Sequence, residues 1–272
     1  QPASGDAGSS LGAAVLAHMR LTGGPPPARP DKMKHVSLGP SFTADEVAAL
    51  LRDSAITALD FRGREADMLA ATVERLAEGK VIGWFQGRME FGPRALGARS
   101  ILADPRDPSM RDRINAFVKK REGFRPFAPA VPLAQAAEHF DLQHESPFML
   151  ETCQVKSTLD LPAITHVDNS ARVQTVDEST TPRFTRLLEL FGERTGCPIL
   201  LNTSFNMRDE PIVCSPVDAI VCFARSEIDT LVLEDFLIDR SAGGDSWEEL
   251  CRTLAVPGGA PSAIGDRIYT FM

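Results

Sequence analysis

Short apolar segments alternate with amphipathic helical patterns along most of this 272-residue chain, and this alternation constrains the fold most strongly. KVIGWFQG, PILLNTS and TLVLEDFLI each have the length and apolar content of a buried strand. EADMLAATVERLAEG, PSMRDRINAFVKKREG and TPRFTRLLELFGERTG have helical patterns, and SWEELCRTL predicts a short helix in the tail. The alternation is only partial, so the sequence predicts an open mixed α/β sheet flanked by helices.

One segment, GRMEFGPRALGARSI, sets three arginines among glycines and a proline, and we call its residues 87–99 the glycine–arginine loop. The segment nearly matches the phosphate-loop pattern G-x-x-x-x-G-K-[ST], but Ala98 stands where lysine is required, so the motif fails. A strand followed by such a loop still predicts backbone N–H and guanidinium groups around an anion. The alternative is a structural turn whose arginines pair with Glu90 or Asp104.

The net charge of −8 argues against non-specific binding to duplex nucleic acid, because the phosphates would be repelled. Cations are nevertheless concentrated in residues 80–125, which hold eleven Lys or Arg against five Asp or Glu. Lys119 and Arg125 flank a predicted helix end at Gly123, and prolines stiffen the backbone after Arg125. Cations that complement a helix C-terminus are an alternative for Lys119 but leave Arg125 unexplained. The region therefore predicts a local anion site.

The segment PILLNTSFN predicts a strand that ends in ligand contacts. Asn202, Thr203, Ser204 and Asn206 follow four residues of buried type. α/β sheets commonly present ligand-binding groups where an apolar strand ends. The alternative is turn chemistry, in which Asn and Ser side chains bond their own backbone.

The segment ITHVDNSARVQTV carries polar residues around a predicted turn at Asn169-Ser170. His166, Asp168 and Arg172 are the charged or titratable residues of this turn. Turn chemistry is again the alternative, and His166 by itself fits a hydrogen-bonded structural histidine.

The five cysteines include no C-x-x-C pair and no histidine at zinc spacing, so we expect buried free thiols in a reducing cytosol. No apolar run approaches the ~20 residues that span a bilayer, and nothing resembles a signal peptide. These features predict a soluble, cytoplasmic protein. The start, QPASGDAGSS, lacks methionine and leads directly into a helical pattern, as expected of a piece of a larger protein.

Four motifs, in this order along the chain, resemble the C-terminal half of the O-carbamoyltransferases. They are GRMEFGPRALGARSIL, REGFRPFAP, HVDxxARVQTV and LNTSFN. This family includes nodulation protein U and antibiotic-tailoring carbamoyltransferases, and the resemblance covers residues 81–239. It implies a YrdC-like fold, a twisted open mixed sheet flanked by helices. Asn169-Ser170 departs from the Gly-Thr expected of the family.

The start of the chain is similar to another part of that family. QPASGDAGSSLGAA resembles the last glycine-rich loop of its actin-like N-terminal half. The resemblance therefore divides the chain into a remnant of the actin-like domain (1–22), a linker (23–40) and a YrdC-like carbamoyltransferase domain (41–272).

The resemblance implies a two-stage reaction. The YrdC-like domain would use ATP, Mg²⁺ and carbamoyl phosphate to form carbamoyl adenylate, and the actin-like half would transfer the carbamoyl group to an acceptor hydroxyl. Because nearly all of that half is missing, we expect this chain to bind ATP but to form carbamoyl adenylate weakly or not at all. The chain is expected to pack against its own actin-like domain, with a homodimer left open.

The resemblance also assigns roles to individual residues. Catalytic roles fall to Lys119, Arg125 and Arg172. Substrate and nucleotide contacts fall to Arg94, Arg99, Met149, His166, Asn202, Thr203, Ser204 and Asn206. Asp6 would bind iron or another divalent metal, together with histidines of the absent N-terminal half.

Two other functions compete with this one. The first is a non-catalytic anion- or RNA-binding YrdC-like module, which the acidic net charge and the single tyrosine and two tryptophans disfavour. The second is a threonylcarbamoyl-adenylate synthase-like enzyme, which the carbamoyltransferase motifs and the actin-like remnant disfavour.

Overall fold

The computed structural model describes residues 2–3, 5–25, 33–119, 122–123, 125–242 and 247, and most of their strands form one sheet. The strands are β1 (Leu59–Asp60), β2 (Ile82–Phe85), β3 (Arg99–Ala103), β4 (Ala128–Pro132), β5 (Cys153–Gln154), β6 (Ser170–Ala171), β7 (Gln174–Val176), β8 (Leu200–Ser204), β9 (Thr230–Leu233) and β10 (Phe236–Asp239). Eight of them lie in the order β1-β10-β9-β2-β3-β8-β4-β7, while β5 and β6 form a separate pair. β2–β9 and β4–β7 are parallel, and the other neighbours in the large sheet are antiparallel. The predicted open mixed sheet is confirmed.

Helices flank this sheet, as predicted. Along the chain, the described α-helices are α1 (Asp6–Thr22), α2 (Ala44–Asp53), α3 (Glu65–Ala77), α4 (Met110–Arg113), α5 (Leu133–His139), α6 (Pro182–Thr195) and α7 (Pro216–Arg225), of which α1 is exposed along most of its length. α3 and α6 pack against each other and against β2 and β4, respectively, and α7 packs on β2 and β9. β2, β3 and β9 are buried along their whole length, as expected of central strands covered on both faces.

The start of α2 is fixed by a capping box. The Thr43 hydroxyl accepts the backbone N–H of Glu46 at 3.2 Å, and the Glu46 carboxylate accepts the backbone N–H of Thr43 at 2.7 Å. Two backbone donors that the helix leaves unpaired are thereby satisfied. Thr43 is therefore the N-cap of α2.

Two elements differ from the sequence-based expectation. TLVLEDFLI is a hairpin of β9 and β10 rather than one strand, because Glu234 turns the chain with φ +49°. In PSMRDRINAFVKKREG, α4 gives way to a π-helical turn (Ile114–Val118), after which the Lys119 N–H donates to the Ile114 oxygen at 2.8 Å. Apart from Trp247, the predicted helix SWEELCRTL lies outside the described residues.

The four described cysteines are free thiols. Cys197 and Cys222 are buried, and burial raises their pKa values to about 11 and about 12. Cys251 lies outside the described residues. Among the helices described, none has both the length and the apolar character needed to cross a membrane.

Gly97 meets a close neighbour, and its replacement by alanine is expected to destabilise the fold by about 2–4 kcal/mol. Its φ is +108°, and an added Cβ would lie 2.4 Å from Cδ1 of Phe184. Gly79→Ala is the matched control, because Gly79 has φ +77° and nothing within 4 Å of the Cβ position. Urea unfolding of both variants separates the steric clash from the backbone strain. Equal losses of stability would contradict the predicted clash.

Candidate substrate-binding site

The glycine–arginine loop is built around the carboxylate of Glu90, which is only 6% exposed. Its Oε1 accepts the backbone N–H groups of Leu96 at 2.7 Å, Ala98 at 2.8 Å and Arg99 at 3.4 Å. The sequence predicted that backbone N–H groups of this loop surround a ligand anion. In the folded chain, these three groups instead surround a carboxylate of the protein itself.

Arg99, a predicted phosphate ligand, is fully buried inside the loop. Its Nη1 donates to the carbonyl oxygens of Gln86, Gly87 and Ala98 at 3.0–3.1 Å. The guanidinium carbon lies 3.5 Å from the centre of the Phe85 ring, and burial lowers its pKa to about 10. A side chain with no exposed area cannot reach a ligand in solvent. The structure therefore gives Arg99 a structural role, contrary to the expectation.

The other two arginines of the loop point outward and differ in their contacts. Arg88 donates to the backbone oxygens of Leu38 at 2.9 Å and Gly39 at 3.0 Å, which fastens the preceding segment to the loop. Arg94 is exposed and forms no hydrogen bond or ion pair with any residue the structure describes. Of the three arginines in the loop, Arg94 is thus available to bind an anion, whereas Arg88 and Arg99 donate to backbone carbonyls.

The face of the sheet beneath the loop carries a row of polar side chains. Trp84, Ser100 and Ser204 are aligned across β2, β3 and β8. Asn202 shares this face because it lies two residues before Ser204 on the same strand. Its Nδ2 donates at 2.8 Å to Oε1 of Gln174, which extends the row to β7.

This polar row holds the loop by its backbone. The carbonyl oxygens of residues 95–97 accept hydrogen bonds from Asn202 at 3.3 Å, Gln174 at 2.8 Å and Trp84 at 2.9 Å, respectively. Asn202 is 1% exposed. It was expected to contact nucleotide phosphates, but in the structure it positions the loop. The contacts nevertheless bring three of the four sequence motifs onto one face of the sheet.

Lys119, two residues before the remaining motif REGFRPFAP, bonds the end of β8. Its buried Nζ donates to the backbone oxygen and the hydroxyl of Ser204, the latter at 3.0 Å, and to Oδ1 of Asn206 at 2.6 Å. The Ser204 hydroxyl in turn donates to Asn206 Oδ1 at 2.7 Å. We call Lys119, Ser204 and Asn206 the Lys119 cluster. It unites three predicted site residues, although Lys119 and Ser204 are 85 residues apart along the chain.

The π-helical turn before Lys119 also positions Arg125. Asn115, within the turn, is fully buried, and its Nδ2 donates to the backbone oxygen of Arg125 at 3.0 Å. The Arg125 side chain is 54% exposed and pairs with Glu122 at 3.2 Å. π-helical turns are frequent at functional sites because they displace the residues that follow. Here the turn brings the backbone of Arg125 next to the helical residues that precede Lys119.

Met149, which was expected to contact the substrate, packs beside the loop. It is 3% exposed and packs in a small cluster with Val36, Leu96 and Ala128. Its φ of +53° is unusual for a residue with a side chain and turns the backbone sharply. The packing thus joins the segment of residues 147–150 to the glycine–arginine loop.

Three predicted residues are not brought into these contacts. Thr203 lies on the opposite face of β8 from Asn202 and Ser204, because side chains alternate along a strand. His166 sits in a turn closed by its own N–H, which donates to Ser170 O at 2.9 Å, and its ring bonds no described residue. Arg172 follows β6 directly and is half-buried. Their assigned roles stay predictions.

Metal binding is not evident in the part of the chain that the structure describes. The described residues contain no group of three or more His, Cys, Asp or Glu side chains suited to a metal ion. The side chain of Asp6, the predicted metal ligand, is outside the described structure.

A cleft of about 570 Å³ borders the loop segment formed by residues 96–98, and Trp84 and Gln174 of the polar row also line it. Its lining combines apolar side chains such as Trp84 and Phe184 with the cations Lys34, Arg88 and Arg183. None of the predicted site side chains that the structure describes lines it. The cleft is therefore separate from the Lys119 cluster.

The geometry agrees with the comparison to known proteins. Residues 73–240 match the family model described as "Carbamoyltransferase C-terminus". This chain belongs to that family, and the match contains the glycine–arginine loop, the Lys119 cluster and the polar row.

Two named relatives are similar in sequence to most of this chain. Nodulation protein NolO of Bradyrhizobium diazoefficiens is 44% identical over 93% of this chain and 47% of its own length. A 3'-hydroxymethylcephem-O-carbamoyltransferase of Amycolatopsis lactamdurans is 36% identical over 89% of this chain and 44% of its own. The chain thus spans less than half the length of these curated relatives. Among solved structures, full-length HypF in its phosphate- and nucleotide-bound form pairs with 63% of this chain and 25% of that chain, with a TM-score of 0.46 and 16% identity.

The sequence did not single out Glu90, Gln174 or Trp84 as parts of this site. Glu90 was considered only as a partner for arginine side chains, and the alternative partner Asp104 in fact pairs with Arg106 at 2.6 Å. Gln174 lies inside the motif ARVQTV, which was the available signal. A side chain that hydrogen-bonds a backbone group far along the chain leaves no recognisable spacing in the sequence. Such contacts can be identified only from the folded structure.

Proposed function

We propose that this chain is the part of an O-carbamoyltransferase that binds ATP and carbamoyl phosphate and forms carbamoyl adenylate. One observation carries the proposal: the four motifs of the family meet, since Ala128 of REGFRPFAP pairs with Asn202. The ammonium of Lys119, two residues before REGFRPFAP, bonds Ser204 and Asn206. Both substrates are rich in phosphate oxygens, which lysine and arginine bind well. Exposed Arg94 and half-exposed Arg125 supply guanidinium groups that a ligand can reach.

The proposed reaction has two steps before the carbamoyl group is transferred to the acceptor. Water cleaves the acyl phosphate, giving carbamate and inorganic phosphate. A carbamate oxygen then attacks the α-phosphorus of ATP, and the bond to pyrophosphate breaks. The protein's part is to hold both substrates in line and to offset their negative charge, which needs no protein nucleophile.

The remaining components are also part of the proposal. Mg²⁺ would offset phosphate charge and would be held mainly by the nucleotide, since Mg²⁺ commonly binds few protein groups. An actin-like portion with a divalent metal would move the carbamoyl group to a hydroxyl, with release of AMP. The name of the cephem relative, which specifies a hydroxymethyl group, supports a hydroxyl acceptor. A cytoplasmic location follows from the same substrates.

The test is calorimetry with ATP and Mg²⁺ on the wild type and on Arg125→Ala. Because a hydrogen bond to a charged group is worth about 1.5–3 kcal/mol, the variant should bind about 10- to 150-fold more weakly. Arg52→Ala is the matched control, because Arg52 is an exposed arginine on α2 whose one ion pair among the described residues is with its neighbour Asp53. Equal affinities of wild type and Arg125→Ala would refute the role given to Arg125. Wild-type protein that binds neither ATP nor carbamoyl phosphate would refute the proposed function.

A further inference from the structure

The buried Glu90 carboxylate has no role in the proposed reaction, yet it accepts three backbone N–H groups of the loop. We infer that Glu90 is a positioning residue, which fixes the glycine–arginine loop so that the Arg94 guanidinium faces the bound phosphates. This inference rests on the proposed function, because it gives Glu90 a purpose only if Arg94 meets a phosphate ligand.

The hydrogen bond from Leu96 N–H to Glu90 closes a ring of chain around Arg94. The bond is 2.7 Å long and encloses residues 91–95. Within this ring, Pro93 and Arg94 are exposed and Ala95 is buried, so the arginine stands at the outer tip. Gly92 adopts φ +115°, which an L side chain rarely adopts, and Pro93 restricts the next φ. The direction of Arg94 therefore depends on the bond that closes the ring.

A different explanation is that Glu90 is a placeholder, which a ligand phosphate displaces from the three N–H groups. Two features oppose it. Glu90 is 6% exposed and its charge favours the charged state of the buried Arg99, so displacement would leave a guanidinium inside the protein without that support. The loop carbonyls are also held down by the polar row, which keeps the neighbouring N–H groups turned inward. Phosphates would thus meet Arg94 and leave Glu90 in place.

A double-mutant cycle tests the inference on the 272-residue chain. Calorimetry measures the binding of ATP with Mg²⁺, and of carbamoyl phosphate, to wild type, Arg94→Ala, Glu90→Gln and the double variant. We expect Arg94→Ala to weaken binding about tenfold or more. Glu90→Gln should weaken binding about threefold or more in the wild type but less than about twofold in the Arg94→Ala background. If Glu90 acts through Arg94, the effect of Glu90→Gln on affinity depends on whether Arg94 is present.

The contrary outcomes are distinct. Tighter binding by Glu90→Gln would show a placeholder, and an equal loss in both backgrounds would show an effect that does not pass through Arg94. If the wild type binds neither ligand, the proposed function fails and the inference fails with it. If the wild type binds and Arg94→Ala is weaker while Glu90→Gln is unchanged, only the inference fails.

Amide hydrogen exchange supplies a readout that does not depend on the ligand. The Leu96 and Ala98 amides should exchange about tenfold faster in Glu90→Ala than in the wild type, because they lose their acceptor. Glu90→Gln retains an amide oxygen and should restore part of the protection. The Leu102 amide, in the middle of β3, is the internal control and should be unchanged. Unchanged protection of Leu96 and Ala98 in Glu90→Ala would overturn the inference.

Discussion

Replacing Arg99 by alanine is expected to lower the free energy of unfolding by about 3–5 kcal/mol, because the change leaves buried polar groups without partners. The carbonyl oxygens of Gln86, Gly87 and Ala98 would each lose a donor. The Phe85 ring would lose the cation stacked 3.5 Å from its centre. Urea unfolding at pH 7 measures the change.

Arg94→Ala is the control for this experiment, since it removes the same side chain from the same loop. Arg94 is exposed and bonds no described residue, so its removal should change stability by less than about 0.5 kcal/mol. For ligand affinity measured by calorimetry, we expect the direct effect in Arg94→Ala, which is the variant with the smaller loss of stability. A loss below about 1 kcal/mol in Arg99→Ala would contradict the structural role of Arg99.

Replacing Lys119 by methionine is expected to weaken the binding of ATP and carbamoyl phosphate about 100-fold or more. The change removes a cation from a largely buried site, where its attraction for phosphate oxygens is less screened by water. Methionine keeps much of the apolar stem, which limits the loss of packing. Calorimetry measures the affinity, and urea unfolding verifies that the variant is folded.

Two further variants make the result for Lys119 specific. Lys80→Met removes a lysine whose ammonium pairs with Glu78 at 2.8 Å on the surface, and it should leave affinity unchanged. Lys119→Arg keeps the charge but replaces a compact ammonium by a planar fork, so it should recover only part of the affinity. If folded Lys119→Met bound both ligands like the wild type, the Lys119 cluster would not be the phosphate site.

The sequence was sufficient for the fold class and the family because both depend on patterns that lie along the chain. The apolar segments around Trp84 and Leu201 predicted interior strands, and four ordered motifs indicated the carbamoyltransferases. TLVLEDFLI was interpreted wrongly as one strand, because nothing in its composition shows that Glu234 adopts a positive φ.

The site was less predictable than the fold, as the arginines of the loop show. Arg94 and Arg99 occupy similar positions in the sequence, yet one is exposed and the other is completely buried. Their difference arises from the folded path of the chain, which wraps the carbonyl oxygens of Gln86 and Gly87, and that of the distant Pro40, around Arg99 alone. Charge and spacing identify an anion-binding region, but they do not show which cations are available to a ligand.

The polar row binds the glycine–arginine loop to strands that differ in local stability. Trp84 and Asn202 belong to interior strands, whereas Gln174 belongs to β7, a three-residue strand at the margin of the sheet. Margins fray at a lower cost in free energy than interiors do. Fraying of β7 would release the carbonyl of Leu96, a residue in the wall of the 570 Å³ cleft, and would spare the anchors at Ala95 and Gly97. The wall of the cleft can thus move while the ammonium of Lys119 stays bonded to Ser204 at the end of an interior strand.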